Sequence, residues 1–224
     1  MTYTCQYCKK SFQKESTLAV HLCEPKRRHQ ERNERGVELG FQAYIRFYEL
    51  TQGSAKLKTF EDFADSPYYR AFVKFGRYCV NTRAINPRQF TEWLLKNNKK
   101  LDYWASDQLY TEYLLQYLRL EHVNDALARA IEYAIDWAEN NEAQPQDCLR
   151  YGNHNLICHA VTTGRISPWV IYNCNSGQTF LNDLDSTQVA MIWPYIDSDV
   201  WQKRFKDYMA DQEYAKDILL KAGW

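Results

Sequence analysis

Cys5 and Cys8 have two residues between them, His21 follows Cys8 after twelve, and Cys23 and His29 lie just beyond. Thiolate and neutral imidazole are the donors that zinc gathers into a tetrahedron, and two cysteines so spaced present both sulfurs from one turn. His21 supplies a third donor. Positions 25 to 27, where a second histidine commonly completes such a set, hold Pro25, Lys26 and Arg27, none of which can serve. The fourth donor is therefore Cys23 or His29. Cys23 is two positions past His21, about 200° round an ideal helix, so both can bind only where a helix ends. Pro25 gives the helix a reason to end. His29 would need a loop of seven intervening residues. Reach and thiolate affinity favour Cys23, with His29 as the alternative. The expectation is one structural Zn²⁺; the plain alternative is a chance cysteine pair on a partly disordered tail.

The elements that would position these donors are short. Residues 2–12 read as two strands around the Cys-x₂-Cys turn, and residues 15–23 as a helix capped by Ser16 or Thr17. With Phe12 and Leu18 between the ligands, this is the order of a ββα zinc finger of the C₂H₂ class. A module this small folds chiefly on its metal. The helix positions that would face bases carry Lys14, Glu15, Thr17 and Val20, a poor base reader, whereas Lys26, Arg27 and Arg28 suit phosphates of any sequence. Residues 27–50 read as one long helix, of alternating charge at first and amphipathic after Gly36 through Val37, Leu39, Phe41, Tyr44, Ile45, Phe47 and Tyr48.

Beyond a polar loop at Thr51–Thr59, helical spacing continues. Helices are expected over 67–80, 87–97, 106–120, 123–140, 146–163, 168–173, 186–193, 199–208 and 211–221, with 173–179 as a polar stretch. The fold class is mainly α: a small N-terminal ββα zinc finger (1–25), a basic linker helix (26–50), a basic and acidic helical subdomain (51–142) and a C-terminal helical subdomain (143–224).

A net charge of zero conceals segregation. Residues 66–100 hold eight basic residues (Arg70, Lys74, Arg77, Arg83, Arg88, Lys96, Lys99, Lys100) and one acidic, and residues 101–147 hold two basic and ten acidic. Arg70, Lys74 and Arg77 share a helix face that could track a phosphate backbone, and Tyr68, Tyr69, Phe72, Phe75, Tyr78, Phe90 and Trp93 could stack bases. The competing reading places those rings in the core and pairs the cations with the acidic run. That run itself reads as a solvated helix face, or as a dock for a basic partner protein.

Aromatic residues make up 15% of the 224 residues, so the core should be rich in rings with polar tips needing partners. Seven cysteines, an odd count, suggest a reducing compartment. No apolar run reaches transmembrane length and no secretory leader precedes Cys5, so the chain is expected to be neither membrane-bound nor secreted. No nucleotide-loop, dinucleotide-loop, zinc-protease or serine-hydrolase motif occurs. Cys148, His154, Cys158, His159 and Cys174 could form a second metal site or a Cys–His nucleophile, but their spacings fit no ligand template. Asp183, Asp185, Asp197 and Asp199 read as caps and turns at least as well as a Mg²⁺ site. The chain is expected not to be an enzyme.

The run CQYCKKSFQKESTLAVHLCEPKRR, with GFQAYIRFYELT, SPYYRAFVKFGRYC and GRISPWVIY, resembles zinc-finger-bearing proteins of T4-like phages, cyanophages especially. YYRAFVKFGRYCVNTRAI and the pattern ISPWVIY…FLNDLD…IWPYIDSDVWQKRFKDY resemble the T4-type helicase loader, whose members are all-helical, bind forked DNA and bring the replicative helicase to it. The N-terminal finger departs from that family. The resemblance implies a non-enzymatic replication accessory factor in the cytoplasm of an infected bacterium. It would hold forked or single-stranded DNA and a phage or host replication protein, such as a helicase. A protein-only adaptor for transcription or replication machinery is the alternative.

Overall fold

Apolar residues recur with helical spacing along nearly the whole chain, and helices form where they do. In a computed structural model, residues 2–53 and 57–224 are described, so positions 54–56 of the expected polar loop lie outside the described residues. The described chain is mainly helical with one two-stranded sheet. It divides into two compact units, residues 1–110 and 111–224.

In the first unit, β1 (Tyr3–Thr4) pairs antiparallel with β2 (Ser11–Phe12), Tyr3 opposite Phe12. Then come α1 (Glu15–Ala19), α2 (Glu24–Gln30), a 3₁₀ turn at Glu31–Asn33, α3 (Arg35–Gln52), α4 (Phe60–Ala64), α5 (Tyr69–Asn81) and α6 (Pro87–Lys96), and the unit ends within α7 (Asp107–Leu120). Local chemistry fixes several boundaries. Thr59 and Asp62 cap α4 reciprocally, Thr59 Oγ1 accepting from the Asp62 N–H at 3.2 Å and the Asp62 carboxylate accepting from the Thr59 N–H at 2.9 Å. Asn86 caps α6 by accepting from the Gln89 N–H at 3.2 Å, with Pro87 in the first turn.

Two expectations fail here. The long helix over 27–50 is interrupted: after the 3₁₀ turn, Glu34 takes extended backbone (φ −67°, ψ 130°) and α3 starts afresh. The expected cap at Ser16 or Thr17 is also absent, since α1 begins after Lys14 with no side-chain capping bond.

The first unit is held by rings and by a backbone seam. Trp104 is fully buried, its ring 5.3 Å from Phe75 and 5.8 Å from Phe72, and its indole N–H donates to the Lys99 carbonyl at 2.9 Å. Each such edge-on ring pair adds about 0.5–1.5 kcal/mol beyond the area it buries. The seam joins antiparallel α3 and α5. A Cβ on Gly76 would lie 2.0 Å from the Gly36 carbonyl oxygen and 2.5 Å from the Gly40 nitrogen, and one on Gly40 would lie 2.7 Å from the Phe72 carbonyl oxygen. Only glycine lets the two backbones touch at these positions.

In the second unit, α8 (Val123–Asn141) buries Ala126, Ala130, Ala134 and Ala138, a small-residue face at steps of four. After a 3₁₀ turn at Pro145–Asp147 follow α9 (Cys148–Tyr151), α10 (His154–Thr162), α11 (Pro168–Ile171), α12 (Asn175–Asn182), α13 (Ser186–Ile196), α14 (Ser198–Asp207) and α15 (Met209–Lys221). The helix expected over 146–163 is therefore two helices, broken at Gly152, where a Cβ would meet the Cys148 carbonyl oxygen at 2.3 Å. The polar stretch 173–179 is largely helical: Cys174 Sγ caps α12 by accepting from the Gly177 N–H at 3.3 Å. His122 caps α8, its Nδ1 accepting from the Asn124 N–H at 3.2 Å. All four residues of α11 are buried, and Trp169 lies edge-on to Trp201 and Phe205.

Glu121 is the buried charge of this unit. It meets Arg129 Nη2 at 2.6 Å and accepts from Ser167 Oγ at 2.8 Å. Burial raises its carboxyl above the ordinary range, even though Arg129 pulls the other way. The folded state thus keeps this proton to higher pH than the unfolded chain does. The associated stability is full below the unfolded value, about 4.3, and is lost as pH rises through the folded one.

Two measurements follow. Gly76→Ala should destabilise the chain by about 1–3 kcal/mol in denaturant titrations, and a change under about 0.5 kcal/mol would contradict the seam. Arg129→Met should cost about 3–5 kcal/mol near neutral pH by leaving Glu121 charged and alone. That loss should shrink as pH falls and Glu121 takes up its proton; a pH-independent loss would contradict the assignment.

Candidate functional site

Two features of the first unit carry chemistry, and the chain path links them. The first is built from the Cys-x₂-Cys turn, the end of α1 and the start of α2. Helix α1 stops at Ala19, four residues short of the expected 15–23 span, so His21 lies beyond it rather than on it. Cys23 is the residue before α2 and has extended backbone (φ −105°, ψ 162°). His21 and Cys23 both bring their donor atoms to the turn, while Leu22 between them is 62% exposed.

The ligand atoms of Cys5, Cys8, His21 and Cys23 all lie within 4.8 Å of one another. Cys5 Sγ is 3.9 Å from Cys23 Sγ, and Cys8 Sγ is 3.2 Å from His21 Nε2. Metal–ligand lengths usual for zinc set tetrahedral edges of about 3.8 Å between sulfurs and about 3.6 Å between sulfur and nitrogen. The four residues fit one metal ion. The backbone N–H groups of Cys8 and then Tyr7 favour the Cys5 thiolate and, against burial, bring it down to about 7. For Cys8 the Lys10 N–H favours the thiolate, but burial and the sulfurs of Cys23 and Cys5 outweigh it and push the thiol up. Three thiolates this close repel one another, and a cation among them removes the repulsion. His21 is backed by Phe12, ring centroids 4.7 Å apart, and its carbonyl accepts from Lys26 Nζ at 3.0 Å.

His29 is elsewhere. Its ring packs against Tyr7 at 5.1 Å and Phe60 at 5.6 Å, tying α2 to α4. Among the described residues the N-terminal four form the one group suited to a metal. Cys148, Cys158 and Cys174 are buried thiols, burial raising Cys148 to about 12, and His154 packs on Phe180. No second metal cluster forms there among the described residues.

The second feature is a groove of about 520 Å³ between α2 and α5, bordered by Arg27, Arg28, Arg70, Lys74 and Arg77. Of the cations proposed for phosphates, these five come together. Lys96 and Lys99 line a separate hollow beside α3, of about 600 Å³. Arg83 and Lys100 are exposed outside both, and Arg88 pairs with Glu92 at 3.4 Å. Lys26 is spent on the His21 carbonyl. Arg28 is as much structural as free: it donates to the Ala64 carbonyl at 2.5 Å and lies over the Tyr69 ring at 4.5 Å.

Two expectations about this surface are corrected. Tyr69, Phe72, Phe75 and Phe90 are core residues, so they offer bases no stacking face; Tyr68 is exposed. The groove arginines pair with carboxylates of the linker: Arg77 with Glu34 at 2.6 Å and Glu31 at 3.4 Å, and Arg70 with Glu24 at 3.4 Å. Glu24 and Glu34 are held below the ordinary carboxylate range, Glu34 chiefly by its hydrogen bonds from Arg77 and Glu24 by Arg27, Arg28 and Arg70 against a larger opposing effect of burial. The alternating run KRRHQERNER contained that signal, since its acids recur at positions 31 and 34 opposite the helix that carries Arg77.

The chain matches no family model, no curated protein and no solved structure.

Metal analysis of the purified chain should find one ion per chain, lost in Cys23→Ala and retained in His29→Ala. Loss in His29→Ala alone would reverse the assignment of the fourth ligand.

Proposed function

We propose that the chain is a non-enzymatic DNA-binding accessory protein whose N-terminal ββα zinc finger is held by Zn²⁺ on Cys5, Cys8, His21 and Cys23. Three thiolates and one imidazole in a tetrahedral arrangement suit zinc among the common divalent ions, and four protein ligands leave no open position for catalysis. The metal's part is structural, fixing the start of α2 and so the near wall of the groove.

The observation that carries the reading is the groove itself: five cations on two helices, the first of which begins at a metal ligand. With Tyr69, Phe72, Phe75 and Phe90 buried, recognition rests chiefly on phosphates rather than on stacking, which suits sequence-independent binding. A replication factor of helicase-loader type, acting on forked or single-stranded DNA beside a helicase in an infected bacterium, is the specific role that the sequence resemblance suggests.

A protein-only adaptor is the second reading, favoured by Val20 and Leu22. These apolar side chains flank His21 and are 81% and 62% exposed, an uncommon display on so small a module. Binding to forked, single-stranded and duplex DNA as a function of salt separates the two. The DNA reading expects affinity that falls steeply with salt, and Arg70→Glu with Lys74→Glu should weaken it about tenfold or more and flatten the salt slope by about two. Absence of binding at low salt, or binding indifferent to that double change, would leave the adaptor.

A further inference from the structure

We propose that Glu24, Glu31 and Glu34 occupy two anion subsites in the α2–α5 groove, and that backbone phosphates of a nucleic-acid strand enter by displacing them; this rests on the DNA reading above. The carboxylates mark where phosphates would go. At the first subsite Arg77 grips Glu34 with a two-bond fork, Nε to Oε1 at 2.7 Å and Nη2 to Oε2 at 2.6 Å. Glu31 adds a third contact at 3.4 Å. A guanidinium offers the same planar fork to a phosphate as to a carboxylate. At the second subsite the Glu24 carboxylate is shared by Arg27, Arg28 and Arg70, with Oε1 at 3.4 Å from Arg28 Nε and 3.4 Å from Arg70 Nη2.

Between the subsites Lys74 lines the groove and has no ion-pair partner among the described residues. From Arg70 to Arg77 the helix rises about 10 Å, so the two subsites take different phosphates of one strand.

The occupants are placed to leave. The Arg70 and Arg77 side chains are 78% and 47% exposed, so water and salt reach and screen both pairs. An incoming strand replaces them one phosphate at a time while releasing its own counterions, which a lone anion cannot do. The groove therefore discriminates by number of charges: free phosphate, with one anionic group, competes poorly against three tethered carboxylates, whereas a strand offers several at once.

The test compares the full metal-bearing chain with Glu31→Gln/Glu34→Gln in binding a short mixed-sequence single-stranded oligonucleotide at moderate salt. The double variant should bind about threefold to tenfold tighter. Glu213→Gln/Asp217→Asn, on α15, makes the same change in net charge and should leave affinity unchanged. The gain should disappear when Arg77→Met is added. A double variant no tighter than that control, or a gain that survives loss of Arg77, overturns the displacement. If the unaltered chain binds with steep salt dependence and the glutamate changes add nothing, the DNA reading stands and the displacement falls. If no variant binds, both fall.

Discussion

The first unit depends on two backbones touching. Gly36 and Gly40 on α3 meet Gly76 on α5 so closely that no Cβ fits between them. This contact does more than pack two helices. It brings the residues just before α3 alongside the end of α5, which is how Glu31 and Glu34 come to face Arg77. A looser crossing would keep the same ring-rich core in outline but separate the carboxylates from the guanidinium. The charge arrangement of the groove is thus set by three residues that carry no charge and no side chain.

The metal-binding segment solves a different problem. Its strands are two residues long and α1 is five, and neither α1 nor α2 has a fully buried residue. Hydrophobic burial alone cannot hold such a piece. A metal ion bound by the four donors would change that: structural sites of this kind contribute an apparent binding free energy of about 10–16 kcal/mol, more than these few side chains could supply. His29 shows how the segment is then joined to the rest: a residue with ligand chemistry serves instead as a flat ring between Tyr7 and Phe60.

Much of this was legible in the sequence. The helical class followed from apolar spacing, and the helices of the 67–140 stretch lie within two residues of the expected bounds, with Asn86 and Pro87 an explicit start signal for α6. The ligand set followed from donor types and the impossibility of Pro25, Lys26 and Arg27. What was less legible depends on tertiary contact. The break at Glu34 follows from no local breaker, and Gly36 looks like a tolerated helix residue until α5 is laid against it. The basic stretch was visible as a run of charge, but which cations share a groove, and which carboxylates face them, is decided by helix phase and crossing. Rings with core spacing proved to be core, and the charge beside them could not have said so.

The step from His21 to Cys23 carries a constraint of direction. Both donors reach the ion site while Leu22, the one residue between them, is exposed. With a single intervening residue the joint has little slack, so a residue added or removed there must be absorbed by the backbone before Cys23 can return to the same point. The short spacing that first looked like a defect in a familiar pattern is, in this chain, what aims the last ligand.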